Sequence, residues 1–332
     1  MTHPVTFQLA PLAKYLDRSD VFEVRINRYH EVVCDTFGGR EFFEDPNITA
    51  AYITNLTKAL ANKNGIEKSG INDVSLPGGV RGIILLPPAV VDNTVAIAFR
   101  KDLAVNKSLE DLDSEGVFEE CKTSAHGTFT VSSDDNLLLE LYSAGKLIEF
   151  LKLAVKLKRN IVVCGATGSG KTVLTRALLK AIDSDERLAI LQDIFEIEVA
   201  HVKEVIYLTY GKEGQKDNKI PAKQSLAACM RLTPDRVIMT ELRDGAALSY
   251  VDTLQNGHPG GIATVHADSE RDAINRLAML IKGTETGRTL EKKDIVDMLY
   301  STIDIVVFMA KRKVKAVYFD PAYKMKVKNG EV

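Results

Sequence analysis

The sequence predicts an α/β protein in two parts: a smaller mixed α+β N-terminal domain and a C-terminal domain built on a mainly parallel sheet. Three observations carry that expectation. Beyond about residue 157, short apolar runs alternate with helical segments, the pattern of parallel strands covered on both faces. Before about residue 130, strand-like stretches dominate around one helical pattern. A polar stretch, "CKTSAHGTFTVSSDDN" (121–136), separates the two. The expected divisions are 1–128, a linker at 129–136, and 137–332.

Each element has its own signal. "VFEVRINRYHEVVCD" (21–35) reads as two short strands around Asn27-Arg28. "NITAAYITNLTKALANKNG" (47–65) reads as a helix, because Ile48, Tyr52, Leu56, Ala59 and Leu60 recur at helical spacing and Gly65 follows as a stop. "VRGIILLPPAV" and "NTVAIAFRK" read as two strands, with Pro87-Pro88 and Asp92-Asn93 as breakers. A helical pattern runs from about Leu137 to Lys158 and breaks near Ser143-Ala144-Gly145. Its cations Lys152, Lys156, Lys158 and Arg159 fit a solvated face. Five buried-type runs follow: "IVVC" (161–164), "LAIL" (188–191), "RVIM" (236–239), "IATV" (262–265) and "DIVVF" (304–308).

Composition narrows the class. The 332 residues suffice for two domains, and 45 % hydrophobic with 27 % charged residues is a globular profile. A net charge of -2 gives no general attraction to nucleic acid. Cys34, Cys121, Cys164 and Cys229 are far apart, with no C-x-x-C pair, which argues against a paired-cysteine zinc site or a disulfide framework. The N-terminus lacks the basic start and apolar core of a secretory signal. "IILLPPAVV" (83–91) and "IDIVVFMA" (303–310) fall far short of the ~20 residues of a membrane span. Membrane association is therefore expected only through a partner.

Parallel sheets bind ligands at the carboxyl ends of their strands, so the residues after each run are the candidates. "IVVC" is followed by "GATGSGKT", a full G-x-x-x-x-G-K-[ST] match between a strand and a helix-like "VLTRALLKAI". Gly165, Ala166, Thr167, Gly168, Ser169 and Gly170 would wrap backbone N–H groups around phosphate oxygens. Lys171 would reach the terminal phosphates of ATP, and Thr172 would bind Mg²⁺. After "LAIL" come Gln192, Asp193 and Glu196; after "RVIM" come Thr240 and Glu241. Such carboxylates hold Mg²⁺, orient the attacking water, or serve only as caps and ion pairs. His266 ends "IATV" and shares a strand face with Thr264. Its spacing from His258 fits no usual metal site. A lone histidine is more often structural, but beside the loop a γ-phosphate contact is the better reading, and His258 belongs mainly to the Gly-Pro turn.

"GATGSGKT", "QDIFE", "MRLTPDRVIMTELRDGAA" and "NGHPGGIATVHADS", in this order, resemble the secretion ATPase superfamily, above all the hexameric traffic ATPase of type IV secretion and conjugation systems. The likeness covers about 157–310. More loosely, "FEVRINRYHEVV", "LPGGVRGIILLPPAV" and "VAIAFRK" are similar to that family's N-terminal domain. The resemblance implies a RecA-like P-loop domain and a homohexameric ring. It also implies a cytoplasmic position at the inner face of the inner membrane, held by membrane-embedded components of the machine. It places Lys171 and Thr172 as the catalytic pair of the loop, and Asp193 and Glu196 on the acidic box. Glu241 falls on the catalytic glutamate, His266 on the histidine box, and Arg100 on an N-terminal-domain arginine that faces the γ-phosphate. Arg231, Arg236 and Arg243 lie in the family's arginine-rich stretch, each either functional or a structural ion pair. Two departures stand out: Thr240 where Gly is usual, and Gln192 where Glu is usual.

The expected activity is Mg²⁺-dependent ATP hydrolysis that drives motion of the N-terminal domain, for pilus biogenesis or substrate translocation. A pilus assembly or retraction motor of the same superfamily and a DNA-translocating RecA-like ring are the rivals. Assembly motors commonly carry a four-cysteine zinc element that this sequence lacks. The charged loop "YGKEGQKDNKIP" (210–221) suggests either a docking element or a solvated one.

Overall fold

Two sheets organise the chain, and the computed structural model describes residues 4–101, 108–119, 121, 127–211, 220–243 and 245–332. Most of the 210–221 loop therefore lies outside the described residues, as do Asp244 and part of the 121–136 stretch.

The N-terminal part comprises helix Pro4–Leu16 (α1), strands Val21–Ile26 (β1), Glu31–Thr36 (β2) and Gly39–Glu44 (β3), helix Ala50–Asn64 (α2), and strands Ile71–Ser75 (β4), Arg81–Leu85 (β5) and Ala96–Arg100 (β6). Short helix Leu109–Ser114 (α3) follows. The sheet order is β3-β2-β1-β6-β5-β4, antiparallel throughout. The expected helix ends at Gly65 in the left-handed region (φ 64), where its N–H returns to Ala61 and Asn62 carbonyls. Four elements had no clear sequence signal, the short α3 among them. α1 carries Pro11 in its interior, which obscures a helical reading. β3 and β4 lie at the sheet's two edges, and each presents exposed positions along its length.

The C-terminal part begins with Ser133–Ser143 (α4), which starts four residues before the expected Leu137 and within the stretch expected as a linker, and Leu147–Lys156 (α5). The break between them falls at Ala144–Lys146, with Gly145 at φ 71. Then come Ile161–Cys164 (β7), Lys171–Leu179 (α6), Arg187–Gln192 (β8), Glu204–Thr209 (β9), Ala222–Arg231 (α7), Arg236–Met239 (β10), Ala246–Gln255 (α8) and Ile262–Val265 (β11). Glu270–Lys282 (α9), Glu285–Thr289 (α10), Lys292–Thr302 (α11), Ile305–Ala310 (β12), Lys313–Phe319 (β13) and Pro321–Lys328 (α12) complete it. The sheet order is β13-β12-β7-β11-β10-β8-β9, parallel except for the β12–β13 hairpin. All five expected strands are present; the unexpected β9 and β13 form its edges. Along β7, Ile161 and Val163 enter one core while Val162 and Cys164 enter the other, so a continuous apolar run is what two covered faces require.

The two parts share a core. On β5, Ile84 packs under α1 and α2, whereas Ile83 and Leu85 pack with Leu191, Leu208 and Tyr210 of the C-terminal sheet. Residues 89–91 extend that sheet at its β9 edge: Val91 N–H donates to the Tyr207 carbonyl at 3.1 Å and Thr209 N–H to Ala89 at 3.0 Å. Beside this seam lies a buried ion cluster. Glu204 accepts from Arg25 at 2.9 Å and from Asn27 at 2.9 Å, and it pairs with Arg187 at 3.5 Å. Arg25 also binds Asp35, and Arg40 binds Asp235 at 2.9 Å. Burial, reinforced by Arg25, pushes the Arg187 guanidinium down to about 10. The expected nucleotide-driven swing of the N-terminal domain thus meets a shared apolar seam and a desolvated charge cluster.

Candidate active site at the carboxyl edge of the parallel sheet

The order β12-β7-β11-β10-β8 sets consecutive strand ends side by side. The phosphate-type loop follows β7, His266 follows β11, the Thr240-Glu241 pair follows β10, and Asp193 follows β8. In-register pairing of Val265 with Cys164 and of Met239 with Ala263 holds these ends level.

The loop needs its glycines. A Cβ on Gly165 (φ 151) would collide with the Met309 carbonyl oxygen, and Gly170 (φ 101) sits in a conformation that side-chain-bearing residues avoid. Among the described residues, the backbone N–H groups of Gly168, Gly170, Lys171 and Thr172 have no acceptor. They form an open cradle at the start of α6, where the helix dipole adds positive potential. The Ser169 hydroxyl is buried within it without a partner.

Lys171 is buried, and its ammonium donates to the carbonyls of Gly165 at 2.8 Å and Ala166 at 3.0 Å. Burial holds its pKa below the ordinary lysine value, against the attraction of Glu241. The ammonium also lies 3.4 Å from His266 Nδ1, and His266 Nε2 lies 3.0 Å from Glu241 Oε1. This pattern assigns the neutral Nε2–H form of His266: Nδ1 accepts from the ammonium and Nε2 donates to the carboxylate. Arg243 binds the other Glu241 oxygen and reaches Asp193 at 3.2 Å. The Tyr210 hydroxyl donates to the Glu241 carbonyl at 2.9 Å, pinning the residue from β9's side.

The structure brings together Lys171, His266, Glu241, Arg243 and Asp193, with Thr172 half-buried beside Lys171. It does not bring in the other two candidates. Glu196 is exposed; Gln192 holds its N–H and Arg176 binds its carbonyl, while its carboxylate has no partner among the described residues. Arg100 ends β6 opposite Glu23 and Arg81, exposed, its side chain without a hydrogen bond or ion pair among the described residues. The reason is placement: β6 lies in the N-terminal sheet, which packs on the β9 side, away from β7.

The arginines separate by role. Arg236 forms a two-point pair with Glu186, both bonds 2.7 Å, and Arg231 pairs with Asp73. Only Arg243 reaches the cluster. His258 binds the Pro234 carbonyl at 2.7 Å, which ties down the Gly-Pro turn as expected. Gln192 is fully buried, accepts from the N–H groups of Glu196 and Ile197, and donates to the Ile197 carbonyl. A carboxylate could not make that donation. Thr240 closes the β8 and β11 ends through the Leu191 carbonyl and the Thr264 hydroxyl.

One supporting residue had no sequence signal. Asn160, just before β7, accepts from the N–H groups of Gly260 at 2.8 Å and Gly261 at 3.0 Å and donates to the Thr302 carbonyl at 2.8 Å. It joins the starts of β7, β11 and the chain entering β12. Asn160→Ala is expected to lower stability by about 2–4 kcal/mol, because buried N–H groups lose their acceptor. Chemical denaturation checks this; a midpoint equal to wild type would contradict it.

Comparisons with known proteins agree with this geometry. The family described as Type II/IV secretion system protein matches residues 135–318. The Type IV secretion system protein VirB11 of Bartonella henselae is 34 % identical, covering 96 % of this chain and 93 % of its own. The chain belongs to the VirB11 family of type IV secretion system proteins. VirB11 of Brucella suis is 32 % identical over 96 % of this chain and 90 % of its own, and Protein VirB11 of Agrobacterium tumefaciens is 30 % identical over 91 % and 88 %. The crystal structure of the Brucella suis VirB11 ATPase in complex with sulphate superposes with a TM-score of 0.91 at 31 % identity, covering 98 % of this chain and 97 % of that one. The VirB11-like fold therefore extends over both sheets.

Proposed function

We propose that this VirB11-family chain is an ATPase that powers a type IV secretion machine, for pilus biogenesis or substrate translocation. The observation that carries the reading is the linked set Lys171–His266–Glu241 beside an open cradle of backbone N–H groups. Residues Gly165 to Thr172 hold the nucleotide phosphates. Lys171 exchanges its loop carbonyls for phosphate oxygens, an ammonium paired with the groups on which negative charge develops. Glu241 orients the attacking water, and His266 moves between Glu241 and the γ-phosphate. Arg243 positions Glu241 and Asp193 relative to each other.

The donor set suits a magnesium ion. Thr172 and Asp193 offer hard oxygen ligands, and Glu196 follows on the same loop. Among the described residues no three acidic, histidine or cysteine side chains could cage a metal by themselves. Mg²⁺ characteristically binds through few protein oxygens plus phosphates and water. When bound it neutralises charge on the transferring phosphoryl group.

In the same reading the chain works as a homohexamer in the cytoplasm, at the inner face of the inner membrane, attached to membrane components of the machine. No helix among the described residues is long and apolar enough to cross a membrane. The division into 1–128, 129–136 and 137–332 belongs to this proposal, as does a role for Arg100. Carried by the N-terminal sheet, Arg100 meets the γ-phosphate only after that sheet moves. A phosphate-release assay tests the core of the reading: release is expected with Mg²⁺, to stop with EDTA and to resume with excess Mg²⁺. Steady release in EDTA would overturn the metal assignment, and no release under any condition would overturn the ATPase.

A further inference from the structure

The strand order gives the phosphate loop two unlike walls. On one side of β7 lie β11 and β10, carrying His266 and Glu241. On the other side lies the β12–β13 hairpin. A nucleotide whose γ-phosphate faces His266 and Glu241 must send its α-phosphate and nucleoside toward the second wall. That wall is cationic. Its tip is the two-residue turn Lys311-Arg312, closed by the pairing of Ala310 with Lys313.

Two further observations single out Arg312. Its backbone N–H donates to the Ser169 carbonyl at 3.0 Å, and its Cα lies 3.5 Å from the position a Cβ on Gly170 would take. The turn is thus fastened to the loop at Ser169 and lies against Gly170, just before Lys171. Lys311 and Arg312 both adopt positive φ, 50 and 60, as this hairpin type demands. Glycine or asparagine ordinarily fills such positions; two long cations there are strained residues kept against local preference. Among the described residues, neither Lys311, Arg312 nor Lys313 has an acidic partner or any side-chain hydrogen bond, and all three are exposed. A guanidinium anchored this close to the loop reaches the phosphate nearest the nucleoside without backbone movement.

We propose that Arg312 is a nucleotide-binding residue that holds the α-phosphate, so that the β12–β13 turn positions the nucleoside end while β10 and β11 carry the reaction. The inference rests on the nucleotide reading of the loop. ADP and a non-hydrolysable ATP analogue share the α-phosphate but differ at γ, and that difference is the test. Titration calorimetry on the full chain should show Arg312→Ala weakening both ligands by a similar factor, about tenfold. Arg312→Lys should recover part of the loss, and Arg312→Gln, which keeps the length without the charge, should not. Wild-type affinity for both ligands in Arg312→Ala would overturn the proposal. A loss confined to the ATP analogue would also overturn it, by placing Arg312 at the γ-phosphate. Lys171→Ala, measured alongside, separates the two levels: if it binds ADP as wild type does, the loop reading itself fails. If it loses ADP while Arg312→Ala does not, only the Arg312 assignment fails.

Discussion

Glu241→Gln is expected to bind ATP within about threefold of wild type and to lose roughly 10²–10³-fold in turnover. The amide keeps the size of the carboxylate and its contact with Arg243, so the cradle of Gly165 to Thr172 is left intact. What it loses is the negative charge that, in the proposed reaction, draws a proton from the attacking water. The geometry adds a specific feature. One carboxylate oxygen is bound by His266 and the other by Arg243, and each keeps a second acceptor site for a water. His266 links this carboxylate to the Lys171 ammonium, where phosphate is expected to sit. Binding and phosphate release measured on one preparation separate the outcomes. Wild-type hydrolysis would remove Glu241 from the reaction, and lost binding would make it part of the cradle instead.

The linked set at the strand ends was legible because it is local. A loop motif between a strand and a helix, carboxylates after two strands and a histidine after a third all follow from period-2 burial and strand-end placement. Glu196 and Arg100 depend on something else, the distance between segments far apart in sequence, and the structure leaves both outside the linked set. Arg243 illustrates the converse. Its sequence neighbourhood holds three arginines, and nothing local separates it from Arg231 and Arg236. Only the docking of α7 beside β4 and of Glu186 beside β10 removes those two to structural pairs. The edge strands β9 and β13 differ in how they hide. β13 is exposed over its first half, with Lys313 and Lys315 on either side of Val314. β9 is mostly buried and carries the apolar run Val205 to Leu208, a signal that was present between polar neighbours. With β9 unseen, Tyr210's hold on Glu241 and the whole interdomain cluster went unseen too.

That cluster supplies the second large effect. Glu204→Ala is expected to destabilise the chain by about 3–5 kcal/mol, the magnitude typical of removing one partner from a buried charge pair. Glu204 is 1 % exposed and faces Arg25, Arg187 and Asn27 at once. Without it, two arginines each no more than 1 % exposed face one another with less compensating charge. Arg187 is the more vulnerable, since its Nε and Nη1 already lack hydrogen-bond acceptors. The pH dependence follows from its depressed pKa. A cation whose folded pKa lies below its unfolded value binds fewer protons in the native state, so stability rises with pH through the folded value. For wild type that gain begins near pH 10. In Glu204→Ala it begins lower, because the lost carboxylate had favoured the charged form, and the gap from wild type narrows between pH 7 and 10. Denaturation midpoints across that range test the argument, and a gap constant with pH would mean that lost packing, not an orphaned cation, accounts for the damage. The same variant bears on function. If the N-terminal sheet must leave its seat for Arg100 to reach the nucleotide, weakening Glu204's contacts at 25 °C should favour that movement even as it lowers stability. Limited proteolysis between the two sheets would then quicken, whereas an unchanged cleavage rate would leave the apolar seam of Ile83, Leu85 and Leu208 as the tie that holds them.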